Sequence, residues 1–582
     1  MIPSQEHNFT FYDYGIFILM LLSSAGIGVY YAFEDRKNKS SKEFLTANRS
    51  LHWFPVAMSL MASFQSAVTI LGYPAEMYFQ GTQFWLVTIS ACLAAVAAAE
   101  LFLPVYYGLT FTSVNKFLSY RFHSEKVRLA SSIAFLFGTV PYMGVVLYGP
   151  SLALASVTPL STQASILVIG IICTFYTSIG GIRAVVWTDT LQVFLMFAGL
   201  LCVMFRGFYL VGGVSEAFRI AGERGRLEFT NFSIDPWATN NFWNAVLGMA
   251  IMWIGNYCTT QTEVQRYCNV DSKKKAKLSI YVNLIGVVSI ISVACLSGIA
   301  IFAYYADCDP IKAGIITQKD QLVPYFVMET LSQFPGIPGL FVSGVFSASL
   351  STLSSGFNAL SAVTWDDFLK QTRCGKMSEK KIKMINKLTA AFYGILTIFM
   401  AFIAGKIGSV LQAAISLAGC LVGPLLGIYI MAIFVPFANV RGVLSGLFCG
   451  IGFSTFVLIG SMIYPKIEVD KATSISSCLN VAANATMPIN TTVHYETTGI
   501  LKLFHIAFLL VPVLGFVICL LVSLIVSLLT GGIKKIPNID TSAMSKLIWH
   551  IWPKSMLPAK APVVQMTSIN MDKEQRNGSF KA

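Results

Sequence analysis

Runs of mostly apolar residues recur from Tyr14 to Leu529, separated by short polar stretches. Most approach the ~20 apolar residues that carry an α-helix across a bilayer. The pattern predicts an all-α membrane protein with about 13 transmembrane helices. They are expected over 13–33, 53–79, 82–108, 128–156, 162–179, 187–208, 241–264, 278–304, 336–362, 386–406, 408–431, 440–463 and 502–529. An odd number of crossings puts the two termini on opposite sides. The first run follows Asp13 rather than a basic cluster, and it is longer than a signal-peptide core, so it is expected to stay as a span.

The polar stretches then orient the chain. Those following odd-numbered spans hold Lys37, Lys116, Arg121, Lys273–Lys277, Lys370 and Lys380, and the tail adds Lys534 and Lys546. Cytoplasmic loops carry the basic excess, so the N-terminus is expected outside and the tail inside, in the plasma membrane. The net charge of +13 is a topology signal on this reading and implies no nucleic-acid partner. Glycosylation sequons at Asn8, Asn231, Asn484 and Asn490 fall in segments expected to be external, whereas Asn38, Asn48 and Asn577 fall inside. Cys308 and Cys478 lie in external loops and are candidates for a disulfide; most of the other cysteines sit in spans, where they behave as small hydrophobes. Beyond Thr530 the chain is polar, and Trp549 and Trp552 near Lys546 and Lys554 suggest a stretch resting on the membrane interface.

Composition narrows the function. The chain is 55% hydrophobic and 12% charged, about half the charge of a soluble domain. It lacks the G-x-x-x-x-G-K-[ST] phosphate loop of an ATP-driven pump and the TVGYG filter of a potassium channel. The six histidines show no metal-ligand spacing, and no nucleophile–base set lies at membrane depth, so an enzyme is not expected.

Two spans are dense in hydroxyls. One runs Ser59-Leu-Met-Ala-Ser-Phe-Gln65-Ser66-Ala-Val-Thr69 to Glu76; the other runs Ser343 to Asn358 and includes Ala348, Ser351 and Thr352. Ala348, Ser351 and Thr352 share a helix face by their spacing. A carbonyl freed at Ala348 and the two hydroxyls would suit a hard cation such as sodium. Carbonyls from a broken helix near Ala62–Gln65 would complete the shell. The same small residues equally serve close helix packing, and spacing alone leaves both readings open. Gly255 and Asn256, inside the seventh span, suggest a second helix interruption there.

Longer stretches decide between them. Thr174-Phe-Tyr-Thr-Ser-Ile-Gly-Gly-Ile-Arg-Ala-Val-Val-Trp-Thr-Asp189-Thr-Leu-Gln192, Glu263-Val-Gln-Arg-Tyr267, Asp307-Cys-Asp-Pro310, Ser349-Leu-Ser-Thr-Leu-Ser-Ser355 and Leu71-Gly-Tyr-Pro-Ala-Glu76 resemble the sodium/solute symporter family (solute carrier family 5), in the branch of the iodide, multivitamin and monocarboxylate symporters. The resemblance implies a leucine-transporter-like core of two inverted five-helix repeats, 53–208 and 241–431, joined by a loop at 209–240. Segment 1–52, two peripheral helices in 432–529 and a tail at 530–582 would surround that core. It implies a co-transported sodium ion held by the backbone carbonyls of Ala62, Gln65 and Ala348 and the hydroxyls of Ser351 and Thr352, with Asp189 near the inner exit, and no organic cofactor. Substrate contacts would fall on Ser66, Thr69, Tyr142, Trp253 and Tyr257. Phe64 and Thr69 depart from the sugar carriers, so the expected substrate is a small organic monocarboxylate anion of the biotin/pantothenate or lactate type. Iodide or another inorganic anion is the alternative, and a solute sensor or sodium channel on the same scaffold is a third.

Overall fold

The computed structural model describes residues 9–34, 51–108, 113–179, 182–405, 409–466, 470–478, 498–531, 533–534 and 541–558. Ten helices among them are long and apolar enough to cross a membrane. They are α1 (Phe11–Glu34), α4 (Thr82–Tyr106), α5 (Glu125–Val157), α7 (Ile182–Val211), α10 (Lys273–Tyr304), α11 (Ile337–Leu369), α12 (Glu379–Ala404), α13 (Val410–Phe434), α14 (Val440–Ile463) and α15 (Phe508–Leu529). An eleventh span is a bent pair, α2 (Trp53–Phe64) and α3 (Val68–Gln80), which meet at 58°. The other two expected spans are shorter pieces: α6 (Thr162–Ile179), and α8 (Met249–Thr259) with α9 (Gln261–Cys268). The structure thus gives ten or eleven full spans where the apolar pattern implies about thirteen.

The two breaks place the functional region. At the first, Gln65 is extended (φ −99°, ψ 123°) and its N–H still donates to the Met61 carbonyl. The Ser66 hydroxyl accepts from Val68 N at 3.2 Å and starts the next helix. Neither glycine nor proline is involved; a side-chain cap substitutes for the lost backbone bond. The second break is at Thr260 (φ −84°, ψ 139°). Gly255 and Asn256, where the sequence suggests an interruption, remain inside α8. These broken elements are the second and seventh crossings, five apart, as an inverted repeat of five helices requires.

α11 lies at the centre, buried along nearly its whole length. It packs on α1, α2, α5 and α7. Glycines let the backbones close: a Cβ on Gly344 would sit 2.9 Å from the Leu195 carbonyl oxygen, and one on Gly199 would sit 3.2 Å from Phe341 Cα. Small residues therefore do serve packing in the first half of α11. Asp13, fully buried, ties α1 to this helix. Its Oδ1 accepts from Gly336 N (3.0 Å) and Gly339 N (2.9 Å), so the carboxylate caps the α11 N-terminus.

Loops on the face where α11 begins carry the disulfide between Cys308 and Cys478, with Cα atoms 5.0 Å apart. Asn231 lies in an ordered loop on that face; its side-chain oxygen accepts from Ser233 N at 3.2 Å, and its backbone bonds Gln83. Asn8, Asn484 and Asn490 lie outside the described residues. The opposite face is rich in basic residues. There the tail packs on the ends of the helices: Trp552 Nε1 donates to the Phe434 carbonyl (2.6 Å) and its ring meets Phe437 edge-on.

Candidate functional site

The break after α2 meets the middle of α11. The last carbonyls of any helix lack intrahelical donors, and here two of them face a hydroxyl. Thr352 Oγ1 lies 3.1 Å from the Ala348 carbonyl oxygen and 3.5 Å from those of Ser63 and Gln65. Four oxygens from two helices thus converge on one point. Ala62 is fully buried in the same last turn of α2. Ser63 is an addition that the sequence did not single out.

Ser351, the residue before Thr352, lies about 100° round the helix and points to Asp189. Its hydroxyl donates to Asp189 Oδ1 at 2.7 Å, which leaves the oxygen lone pairs directed away from the proton. Asp189 Oδ2 accepts from Ser59 (2.6 Å) and from Arg266 Nη2 (3.2 Å). Arg266 is the hub of this layer. It also bonds the Ser59 carbonyl (3.2 Å) and the hydroxyls of Ser63 and Ser355, and it lies 3.7 Å from Glu263. One guanidinium thereby joins α2, α7, α9 and α11. All three ionisable groups are buried. Two carboxylates face one guanidinium, so the fully ionised cluster carries one surplus negative charge next to the oxygen cage.

A cavity of about 110 Å³ opens beside Thr352. Tyr142 and Phe135 of α5, Asn256 of α8 and Leu425 of α13 form its walls, with Thr260, Thr262 and Glu263 at one end. Phe64 forms part of the wall and rests on Tyr257 (centroids 4.0 Å apart) and Trp253 (5.3 Å). The Tyr257 hydroxyl is spent on Asn283, so this residue offers only its ring. Trp253 Nε1, buried, has no acceptor among the described residues. Ser66 reaches the cavity through its bond with the Tyr142 hydroxyl. Thr69 sits in the first turn of α3, away from the cavity lining.

The lining residues belong to the middle and the basic half of their helices. Toward the disulfide face the path is packed shut. A Cβ on Gly72 would lie 3.0 Å from Leu411 Cβ, and one on Gly149 would lie 3.0 Å from Ala67 Cβ. The structure is therefore closed toward the disulfide face.

Residues 44–450 match the sodium:solute symporter family. The chain belongs to that family. This symporter is 42% identical over 550 residues to sodium-coupled monocarboxylate transporter 1 of Xenopus laevis, covering 92% of this chain and 88% of that protein. It is 36% identical over 588 residues to the human sodium/iodide cotransporter, covering 98% and 90%. Among solved structures it resembles a sodium-coupled sialic acid symporter, with a TM-score of 0.72 at 22% identity over 90% of this chain and 98% of that one. A second likeness is to Mhp1, a nucleobase-cation-symport-1 family transporter, with a TM-score of 0.50 at 14% identity over 86% and 96%. These likenesses establish the leucine-transporter-like fold. As a family member the chain is a membrane symporter whose co-transported ion is sodium, and a cluster of oxygens at a helix break suits that hard ion.

Proposed function

We propose that this symporter imports a small organic monocarboxylate across the plasma membrane, with sodium held at the α2 break by Ala62, Gln65, Ala348, Ser351 and Thr352, and with Ser63 as a further contact. One observation carries the reading: Thr352 Oγ1 stands among the carbonyls of Ala348, Ser63 and Gln65. Asp189 accepts the hydrogen bond of the Ser351 hydroxyl and so turns that oxygen's lone pairs outward, which makes it a positioning group. Sodium bridging α2 and α11 would fix the break, and with it the Phe64 wall of the cavity.

The cavity chemistry suits a compact, half-apolar anion. Its walls are mainly aliphatic and aromatic, with a few hydrogen-bonding groups. Tyr142, Thr139 and Asn256 line it and supply hydrogen-bond donors for a carboxylate. The relatives named as sodium-coupled monocarboxylate transporters support a monocarboxylate as the substrate. The sodium/iodide relative keeps an inorganic anion as the second reading.

The orientation proposed here has the disulfide face outside, because disulfides persist in oxidising surroundings, and the basic face inside. Membrane potential then adds about 2.3 kcal/mol per charge per 100 mV to sodium entry. Transport, not catalysis, is the activity.

Thr352→Ala tests the site. Sodium-dependent uptake should fall at least ~10-fold with surface expression retained, the loss of one well-placed ion ligand; unchanged sodium dependence would reject the assignment. A panel of lactate, nicotinate, pantothenate, biotin, iodide and glucose, with sodium or choline, tests the substrate. Accumulation of lactate or nicotinate in sodium alone is expected; sodium-independent equilibration would point instead to a sensor or channel.

A further inference from the structure

We propose that Glu263, with Thr260 and Thr262, forms a second, transient sodium site on the basic side of the cavity, where the ion leaves its protein ligands for water. The inference rests on the reading of Thr352 as a sodium ligand and adds the ion's route beyond it.

One cavity reaches both places: Thr352 lines its inner wall, and Thr260, Thr262 and Glu263 line its end toward the basic face. Glu263 is more than nine-tenths buried and its carboxylate bonds the Thr262 side chain, yet its Oε2 has no hydrogen bond among the described residues. The nearest cation, Arg266 Nη1, is 3.7 Å away, beyond hydrogen-bonding distance. Asp189, the acid expected at the exit, is otherwise engaged: Oδ1 is taken by Ser351, and Oδ2 by Ser59 and Arg266. Arg266 is thus offset by Asp189, and Glu263 holds the surplus negative charge. A buried carboxylate that keeps its charge needs a cation.

Its neighbours are suitable ligands. Thr260 donates its proton to the Asn256 carbonyl (2.6 Å), and Thr262 donates to Thr260 Oγ1 (3.2 Å). Thr260 is also the extended residue at the break between α8 and α9, where helix carbonyls lose their donors. A carboxylate and hydroxyl oxygens make a hard-cation set. Because the acid of this set already faces Arg266 and no cage of carbonyls surrounds it, the set should hold sodium more loosely than the α2 break and release it readily. Moving the ion from Thr352 to Glu263 also removes it from beneath the Phe64 wall, so the anion loses its counter-charge and follows.

The test uses the full chain in voltage-clamped, internally dialysed cells, with the anion of the panel that the wild type carries. Internal sodium inhibits forward transport by refilling the exit path. Glu263→Gln should raise the internal sodium concentration for half-inhibition about tenfold, since ligand charge sets affinity. External half-activation should stay within about twofold, while Glu263→Asp retains wild-type inhibition. Thr262→Val, which leaves no charge unpaired, should shift inhibition in the same direction by a smaller factor. Unchanged internal inhibition in both Glu263→Gln and Thr262→Val would overturn the proposal. A change confined to internal pH sensitivity would overturn it too, since the acid would then serve a proton. If instead Thr352→Ala leaves external activation intact, the parent reading fails, whatever Glu263 does.

Discussion

At the scale of single residues, Arg266 decides how the buried acids behave. Its planar fork bonds Asp189, Ser355, Ser63 and the Ser59 carbonyl at once, a geometry that the point charge of lysine does not reproduce. Arg266→Lys should therefore lower uptake by about tenfold or more. Lysine keeps the charge but leaves some of these buried groups unsatisfied, at about 1–3 kcal/mol each, so a lower melting temperature in detergent should accompany the loss. Arg266 was visible only as part of the Glu263-Val-Gln-Arg-Tyr267 stretch; its partners lie 77 to 207 positions away in sequence, and no local spacing encodes them. Asp320 gives a pH prediction outside the spans. It caps α13 by accepting from Val410 N at 2.9 Å, and burial raises its carboxyl to about 6. A raised acid stabilises the fold in its protonated form, so that contribution is complete below about 4 and fades as pH rises through about 6. Asp320→Asn, neutral throughout, should flatten the pH dependence of the melting temperature across this window.

Among the elements, the close approach of α3 to α13, and of α5 to Ala67 at the start of α3, shuts the disulfide side of the cavity. Gly72→Val would force Leu411 away, because even a Cβ there stands 3.0 Å from Leu411 Cβ. The expected result is slow turnover with the disulfide side held open, read as faster labelling of a Ser66→Cys reporter by an impermeant thiol reagent; unaltered labelling would show that this contact is not the closure. The thirteen apolar stretches each contain helix, because hydrophobic length is a local property. The first break fell at Gln65, within the expected Ala62–Gln65 stretch, and the second was harder to place. Gln65 and Thr260 are not strong helix breakers; each bends where a side chain or a neighbouring element takes over the backbone bonds, and that depends on tertiary contacts. Gly255 and Asn256 weaken a helix intrinsically, yet packing holds them in α8. A Cβ on Gly255 would lie 2.2 Å from Val422 Cγ1, so the glycine serves the approach of α13 instead. For the same reason Ala348, Ser351 and Thr352 were legible as a shared face, while Ser63 and Ser59 became visible only once α2 lay against α7 and α11.

For the whole molecule, contacts outside the core hold its two faces. On the basic side, the segment from Thr541 to Met556 lies along the ends of α13: Ser545 N donates to the Ile433 carbonyl (3.1 Å), and Ile548 is buried. Trp552→Ala removes a ring and strands the Phe434 carbonyl, and aromatic truncations in packed sites cost about 3–5 kcal/mol. Its melting temperature should fall while the external sodium dependence of the surviving transporters stays intact. Asp13 has a different consequence. Because its carboxylate is shared between α1 and the first turn of α11, the first helix is harnessed to the central one. During transport α1 should travel as a passenger of α11: a pair of probes on these two would keep a constant separation through the cycle, while either probe paired with α13 would report the stroke.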